Sequence, residues 1–454
     1  MLFIICDDLN CDLSSYGHEL VKTPNLDKLA SRGVQFNNAH CQYSLCGPSR
    51  ASIMTGLYPH QNLVLGNSIY IRQRLPKVVT MSQFYKEKGF HALRLGKIYH
   101  YNVPKHIGTG GHDDPYSWSE TLNPRGRDVI DEEDVITLKP GAYGATLSWL
   151  AADGTDEEQT DGIAATWASQ KLQNYADENK PFFMAVGLYR PHTPYVAPKK
   201  YFEMYPKSKI TIPKVPENYL STLPKVVQKN LLRFKEQNSL SEDVAKDVLQ
   251  SYYASITFAD AQVGRILDTL DRTGLAKNTV VVFTSDHGYH MGEHGYYQKL
   301  TLFENSTHVP LIISDPDAKA TAGQQANGPV ELLDIYPTVV DLCGMKAPFH
   351  ISGKSLKPMI QDPQMKVRDS ALNQISLRDL QGHTVKTERY RYTEWGENGA
   401  EGRELYDHQN DPVEMNNLAT SPEYTSVIRN MKKVLDERVA ESYKVPKGLR
   451  RIID

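Results

Sequence analysis

Three short stretches of this chain carry side chains that could act together. Asp7-Asp8 stands near the start, Cys46-Gly47-Pro48-Ser49-Arg50 comes next, and Ser285-Asp286-His287-Gly288 lies far downstream. Three aspartates and an imidazole are donors suited to a divalent cation, mostly hard oxygen with one softer nitrogen. Cys46 is a candidate nucleophile or its precursor. Arg50, one helical turn on, is a cation that keeps its charge. Each stretch has a plainer reading in isolation. A free cysteine is usually a small buried hydrophobe. A proline at a helix start exploits its missing N–H. Aspartates after a strand cap helices and turns. The order C-x-P-S-R, running on through Ala51 to Thr55-Gly56, makes the plain reading of Cys46 the weaker one.

The elements that must position these side chains follow from apolar patterning. Leu2 to Cys6 is an apolar run without alternation, as in a strand covered on both faces. Thr23-Pro24 opens a helix ending near Gly33, with cap, N1 proline and C′ glycine in preferred places. A helix from Thr80 to Gly89 precedes a strand from His91 to Leu95, which leads into Gly96-Lys97-Ile98-Tyr99-His100. A long irregular region reaches about Thr160, and Tyr116, Trp118 and Trp149 in it argue for a packed loop. Asp161 to Asn179 is helical, Pro181 to Leu188 is a strand, and Arg190-Pro191-His192-Thr193-Pro194 leaves it. Glu242 to Thr273 has helical spacing, Val280 to Thr284 and Val309 to Ile313 read as strands, and Val330 to Cys343 as a helix.

Strands alternating with helices imply an α/β fold: a largely parallel sheet with helices on both faces. Ligands of such sheets bind beyond the carboxyl ends of the strands. Asp7-Asp8, Lys97, His192 and Asp286-His287 all follow strands, so one sheet edge collects them. After Ser352 the pattern changes: Pro358 and Pro363 mark a linker-like stretch, followed by short alternating segments and a helix from Tyr424 to Glu441. The expected division is a catalytic unit over 1–360 and a small antiparallel sheet plus helix over 361–454.

Composition excludes several classes. The 454 residues are 40% hydrophobic and 23% charged, which is ordinary globular composition. A net charge of −3 offers no basic excess for nucleic acid. No apolar run approaches the roughly 18 residues of a membrane span. Five cysteines without a C-x-x-C pair argue against a disulfide scaffold, a zinc ribbon or thioredoxin-like chemistry. Cys6, Cys11, Cys41 and Cys343 read as mostly buried thiols, with a bridge left open. Met1 to Cys6 is too short for the apolar core of a secretory leader, so the chain is expected to start at its first strand and reports no localisation.

Taken together, the motifs resemble the type I sulfatases, and among them the iduronate-2-sulfatase-like carbohydrate sulfatases. The resemblance runs through Gly96 to His100, Asp113-Asp114-Pro115-Tyr116-Ser117-Trp118, Ala185 to Pro194 and Ser251 to Asp271. It continues through Phe283 to Leu311, with Gly292-Glu293-His294-Gly295 and Lys299, and into Tyr390-Arg391-Tyr392. It implies an alkaline-phosphatase-like fold and hydrolysis of sulfate monoesters. Cys46 would be oxidised to formylglycine (3-oxoalanine) by a formylglycine-generating or other sulfatase-maturing enzyme, and the aldehyde hydrate would attack sulfur. One divalent metal would be held by Asp7, Asp8, Asp286, His287 and the modified Cys46. The wider family usually has asparagine at the position of His287, whereas iduronate-2-sulfatase-like members carry histidine. Ca²⁺ is the first expectation, with Mg²⁺ or Mn²⁺ behind it.

By the same resemblance, Arg50 holds and polarises the nucleophile, and Lys97 and Lys299 contact sulfuryl oxygens. His192 or Lys299 protonates the leaving oxygen, and His100 helps expel sulfate. Asp114 and His290 are candidates for gripping the sugar, while Glu293 and His294 fit a tight supporting turn. The implied substrate is a sulfated oligo- or polysaccharide cut in exo fashion: a 2-O-sulfated uronic acid, or a sulfated galactan such as carrageenan. A periplasmic or secreted location goes with the family. Two readings compete: a phosphonate monoester or phosphodiester hydrolase of the same superfamily, favoured by His287, and a non-catalytic sulfated-glycan binder with unconverted Cys46.

Overall fold

Leu2–Cys6 (β1) is buried at every position and forms the middle of the main sheet. Seven strands join it: Val34–Phe36 (β2), His91–Gly96 (β3), Glu120–Leu122 (β4), Phe182–Gly187 (β5), Val281–Ser285 (β6), Leu311–Ser314 (β7) and Gln324–Ala326 (β8). Their order is β8-β2-β7-β6-β1-β5-β3-β4. Strands β5 and β6 flank β1 in parallel, so the three motif-bearing chain ends leave the sheet side by side. Only β7 runs against its neighbours, which makes the sheet mixed and mainly parallel. This computed structural model describes residues 1–453; Asp454, the last residue of the expected C-terminal unit, lies outside the described residues.

Seven helices matter for the site and its support: Pro24–Arg32 (α1), Cys46–Thr55 (α2), Met81–Glu87 (α3), Thr160–Asp177 (α4), Glu242–Arg272 (α5), Ile335–Leu342 (α6) and Thr425–Tyr443 (α7). The pleat of β1 divides the core. Leu2 and Ile4 face a cluster with Leu172 of α4 and Ile256, Val263 and Ile266 of α5. Phe3 and Ile5 face another with Ile53 and Met54 of α2, Phe84 of α3 and Val339 of α6. Both faces are therefore covered, which is why the run shows no alternation.

Several local expectations are corrected. The helix expected over 330–343 begins only at Ile335: Val330–Glu331 is a short strand paired with Ala39–His40, and Leu332–Asp334 a 3-10 turn. Tertiary partners override the helical pattern there, because buried Glu331 accepts from the Leu372 amide at 2.7 Å and pairs with Arg368 and Arg438. Helix α1 is not capped by Thr23. Asp260 of α5 takes that role, accepting from the Asn25 and Leu26 amides at 3.2 and 2.8 Å. Gly33 is not left-handed; it is needed because a Cβ there would stand 2.6 Å from the Ile313 carbonyl oxygen. The region expected to be irregular holds β4 and a strand, Ser148–Ala152, paired with Ile136–Thr137 and Tyr195–Pro198; Trp118 and Trp149 are buried there as expected, while Tyr116 is 62% exposed.

Ala371–Leu377 (β9), Leu380–Lys386 (β10), Tyr390–Trp395 (β11) and Gly402–Asp407 (β12) form an antiparallel meander covered by α7. It shares a core with the body through Tyr58 and Leu333. Arg438 on α7 reaches Glu331 at 2.7 Å and the Tyr58 hydroxyl at 2.8 Å. Arg391 forms ion pairs with Glu304 and Glu414 rather than facing a cavity. All five cysteines are free thiols. Among the described residues no helix is long and apolar enough to cross a membrane.

Candidate active site

Asp7 and Asp8 follow β1 directly, Asp286 and His287 follow β6, and Lys97 follows β3. Arg50 joins them from α2. Its Nε donates to Asp286 at 2.8 Å and one terminal nitrogen to Asp7 at 3.0 Å. The other donates to the Lys97 and Ile98 carbonyls at 2.6 and 3.1 Å. One buried guanidinium thus ties three strand ends together, using its planar fork in a way that an ammonium could not. Lys97 pairs with Asp7, and Lys299 with Asp8. Three buried carboxylates meet the Arg50 guanidinium and the Lys97 and Lys299 side-chain amines, as buried charge requires.

Asp8 sits at φ 63, a left-handed conformation that aspartate tolerates better than most residues. Its amide donates to Asp286 at 3.1 Å, and its carbonyl accepts from the Tyr252 hydroxyl at 2.8 Å. Ser49 Oγ donates to the Asp286 carbonyl. Ser285 Oγ accepts from the Leu9 amide at 3.0 Å and donates to the His287 carbonyl at 2.9 Å. These tethers explain the serines in two of the motifs. Gly288 has no room for a Cβ, which would stand 2.1 Å from the Asn305 carbonyl oxygen.

Cys46 is the first residue of α2, with its side chain aimed at this cluster. Its sulfur lies 3.3 Å from His287 Nε2, 3.2 Å from Lys299 Nζ and 3.9 Å from an Asp8 oxygen. Donor atoms of Asp8, Cys46, Asp286 and His287 all lie within 4.8 Å of one another, and Asp7 joins through a second group with Asp8 and His192. Burial pushes the Cys46 thiol up to about 12, against the pull of Lys299 and Lys97. Burial opposes the charge on Lys299 as well, but Asp8, Cys46, Asp7 and Asp286 hold it protonated above its usual range.

The cluster floors an open cavity of about 750 Å³ whose lining includes Cys46, His100, His192 and Lys299. His192 Nδ1 bonds the Thr193 carbonyl at 2.6 Å and its Nε2 lies 3.7 Å from Asp8; burial lowers it to about 4. His100 Nε2 bonds Asn102 Oδ1 at 3.2 Å, its Nδ1 is buried without a partner, and burial lowers it to about 2.

Three expected roles meet different geometry. Lys97 is absent from the cavity wall, its ammonium occupied by Asp7. Asp114 is also absent from that wall: it pairs with Arg72 at 2.7 Å and accepts from Ser117 at 2.6 Å, closing a turn. His290 is fully buried, bonded to Thr301 at 2.8 Å and packed among His294, Tyr296 and Phe303. Both polar groups are engaged in supporting structure instead of facing a sugar. Glu293 accepts from the Met291 amide at 2.7 Å in a turn with His294 at φ 60, the supporting position expected of it.

The walls of the cavity left no trace in the residue patterning. Asn67, Asn102, Lys105, Arg125, Tyr143, Phe234 and Gln298 line it from loops without periodicity. Asn67 had one indirect cue: its side chain accepts from the Gly47 amide at 2.8 Å, where a Cβ on Gly47 would lie 2.9 Å from it.

Close backbone approach sets the position of Lys97. A Cβ on Gly187 would stand 1.9 Å from the Lys97 carbonyl oxygen, which Arg50 also uses. Gly187→Ala must push that strand end away. We expect turnover to fall about 100-fold or more, the scale of an ångström-level displacement at an active site. Steady-state kinetics beside a melting curve checks this; full activity in a folded variant would contradict it.

A mainly parallel sheet that gathers such groups at its strand ends is the alkaline-phosphatase-like architecture. Its likeness to solved structures is extensive. Phosphonate monoester hydrolase of Agrobacterium radiobacter superposes with a TM-score of 0.80 at 24% identity, over 97% of this chain and 95% of that one. A 2-O GAG sulfatase gives 0.74 at 24% identity, over 100% and 94%. The sulfatase family matches residues 1–345, and the N-sulphoglucosamine sulphohydrolase C-terminal family matches residues 292–441. A sulfatase of Formosa agariphila is 34% identical over 447 residues, 96% of this chain and 86% of that one. Human iduronate 2-sulfatase is 30% identical over 504 residues, 92% and 90%. The chain belongs to the sulfatase family and is a sulfuric ester hydrolase.

Proposed function

We propose that this enzyme removes sulfate from the ends of sulfated saccharides through a formylglycine derived from Cys46. The observation that carries the reading is the placement of Cys46 at the floor of an open cavity, within contact of Lys299 and His287. A thiol near 12 is thiolate in only about one part in 10⁵ at neutral pH, so the unmodified side chain is a poor nucleophile. The hydrate of the aldehyde would supply an oxygen nucleophile and a second hydroxyl through which sulfate can leave. Cys46 is 1% exposed, so a maturing enzyme would meet it before the chain closes.

The donor set fits one divalent cation: Asp7, Asp8 and Asp286 offer hard oxygens, and His287 presents Nε2 among them. Ca²⁺ remains the first choice, with Mg²⁺ or Mn²⁺ favoured to the extent that the imidazole counts. The cation would add positive charge where the sulfuryl group sits. Arg50 acts through Asp7 and Asp286, which it orients, and Lys97 acts through Asp7. Lys299, charged and facing the cavity, binds sulfuryl oxygen. His100 stays neutral with a free Nδ1 and accepts a proton when sulfate is expelled.

His192 is assigned to donate a proton to the departing sugar oxygen. His192→Ala should lower kcat/KM for a sugar sulfate about 100-fold or more, and for 4-nitrophenyl sulfate far less, because a good leaving group hardly needs its proton. Because burial holds this group near 4, its protonated fraction falls as pH rises, so sugar-sulfate turnover should climb as pH drops from 7 toward 5. Equal loss on both substrates would transfer the acid role to Lys299.

The names of two relatives, human iduronate 2-sulfatase and the 2-O GAG sulfatase, support a 2-O-sulfated uronic acid as substrate. A sulfated galactan is the rival within the class, and a periplasmic or secreted location goes with either. Sulfate release from a panel of defined oligosaccharides tests the assignment. Phosphodiester turnover exceeding sulfate turnover would favour the phosphonate-hydrolase reading instead.

A further inference from the structure

The floor of the cavity is electrically occupied: Lys299 lies on Asp8, and the other two carboxylates are held by Arg50 and Lys97. The outer wall differs. Lys105 and Arg125 line the same cavity, both exposed, and neither has an ion-pair or hydrogen-bond partner among the described residues. Neighbouring arginines are matched. Arg94 pairs with Asp113 at 2.8 Å, Arg127 with Asp131 at 2.6 Å, and Arg190 with Asp128 at 2.5 Å. The one carboxylate on this wall, Glu132, leaves two cations against one anion.

The stem of Arg125 packs on backbone. It lies across the backbone of Gly108, where a Cβ would come 2.9 Å from Arg125 Cβ and 3.0 Å from its Cδ. Gly108 has φ +84, so glycine suits both the turn and the passage of that stem. The stem contact leaves the guanidinium unpaired at the cavity, and its planar fork suits the paired oxygens of a carboxylate or a sulfate.

We propose that Arg125 and Lys105 form an anion subsite at the cavity mouth, so that the preferred substrate carries a second negative group remote from the ester being cut. This inference rests on the sulfatase reading and narrows it to polyanionic saccharides. A uronate carboxylate and a second sulfate ester share the required chemistry.

The test compares kcat/KM for four substrates. They are a sulfated disaccharide with a uronate, its carboxyl-reduced counterpart, a neutral-sugar disaccharide with a second sulfate, and 4-nitrophenyl sulfate. The wild type should prefer one dianionic disaccharide over the carboxyl-reduced one by about tenfold, a scale set by charge-assisted bonds at an exposed site. The arm that shows the preference identifies the anion. Arg125→Gln should collapse that ratio toward one, through KM and not kcat. Arg125→Lys should keep part of it, and Lys105→Gln should reduce it less. A wild type without preference, or an Arg125→Gln loss equal on all four substrates, would overturn the subsite. Failure of the wild type to release sulfate from any of them would overturn the sulfatase reading and this inference with it.

Discussion

Cys46→Ala is expected to lower turnover of 4-nitrophenyl sulfate by about 10⁴-fold or more, the usual scale when a covalent nucleophile is removed. The fold should survive. Cys46 opens α2 but makes no backbone-critical contact, and the packing of that helix rests on Ala51, Ile53 and Met54. Removing one buried sulfur leaves a small cavity and costs about 1 kcal/mol, so the melting temperature should move by no more than about 4 °C. Retention of more than a tenth of wild-type activity would remove Cys46 from the mechanism. A collapse of the melting transition would mean the loss reports unfolding instead.

Asp286→Asn should remove the metal and about 10³-fold or more of the activity. The substitution keeps the shape but withdraws the charge that Arg50 Nε meets at 2.8 Å, and it puts an amide where Asp8 N and His287 N donate at 3.1 and 3.0 Å. Breaking a buried ion pair from one side costs about 3–5 kcal/mol, so a lower melting temperature should accompany the loss. Elemental analysis should give about one equivalent of divalent metal in the wild type and a small fraction of that in the variant. Wild-type enzyme stripped by a chelator should lose activity and regain it with Ca²⁺. Two equivalents of metal, or full activity after stripping, would contradict the single-cation assignment.

The placement of this site was largely legible in the chain. Buried parallel strands read as unbroken apolar runs, so the ends of β1, β3, β5 and β6 could be located, and with them Asp7-Asp8, Lys97, His192 and Asp286-His287. What Arg50 does was not legible. The family resemblance assigns Arg50 to the nucleophile, whereas the guanidinium bonds Asp7, Asp286 and two carbonyls. Patterning reports how buried a position is, not which partner it meets. The same limit explains Val330-Glu331, extended because the Glu331 carboxylate serves partners as distant as Arg438. It explains Asp114 and His290, polar residues near the motifs whose bonds turn inward. The cavity walls, Arg125 among them, lie in loops with no period to read.

Peptide mass spectrometry of active enzyme tests most directly whether Cys46 becomes the catalytic group. Protein co-expressed with a sulfatase-maturing enzyme should yield the Cys46 peptide lighter than its thiol form, with aldehyde replacing thiol. The converted fraction should rise in proportion to sulfate release across preparations of differing activity. Fully active enzyme whose Cys46 peptide carries only an intact thiol would contradict the account.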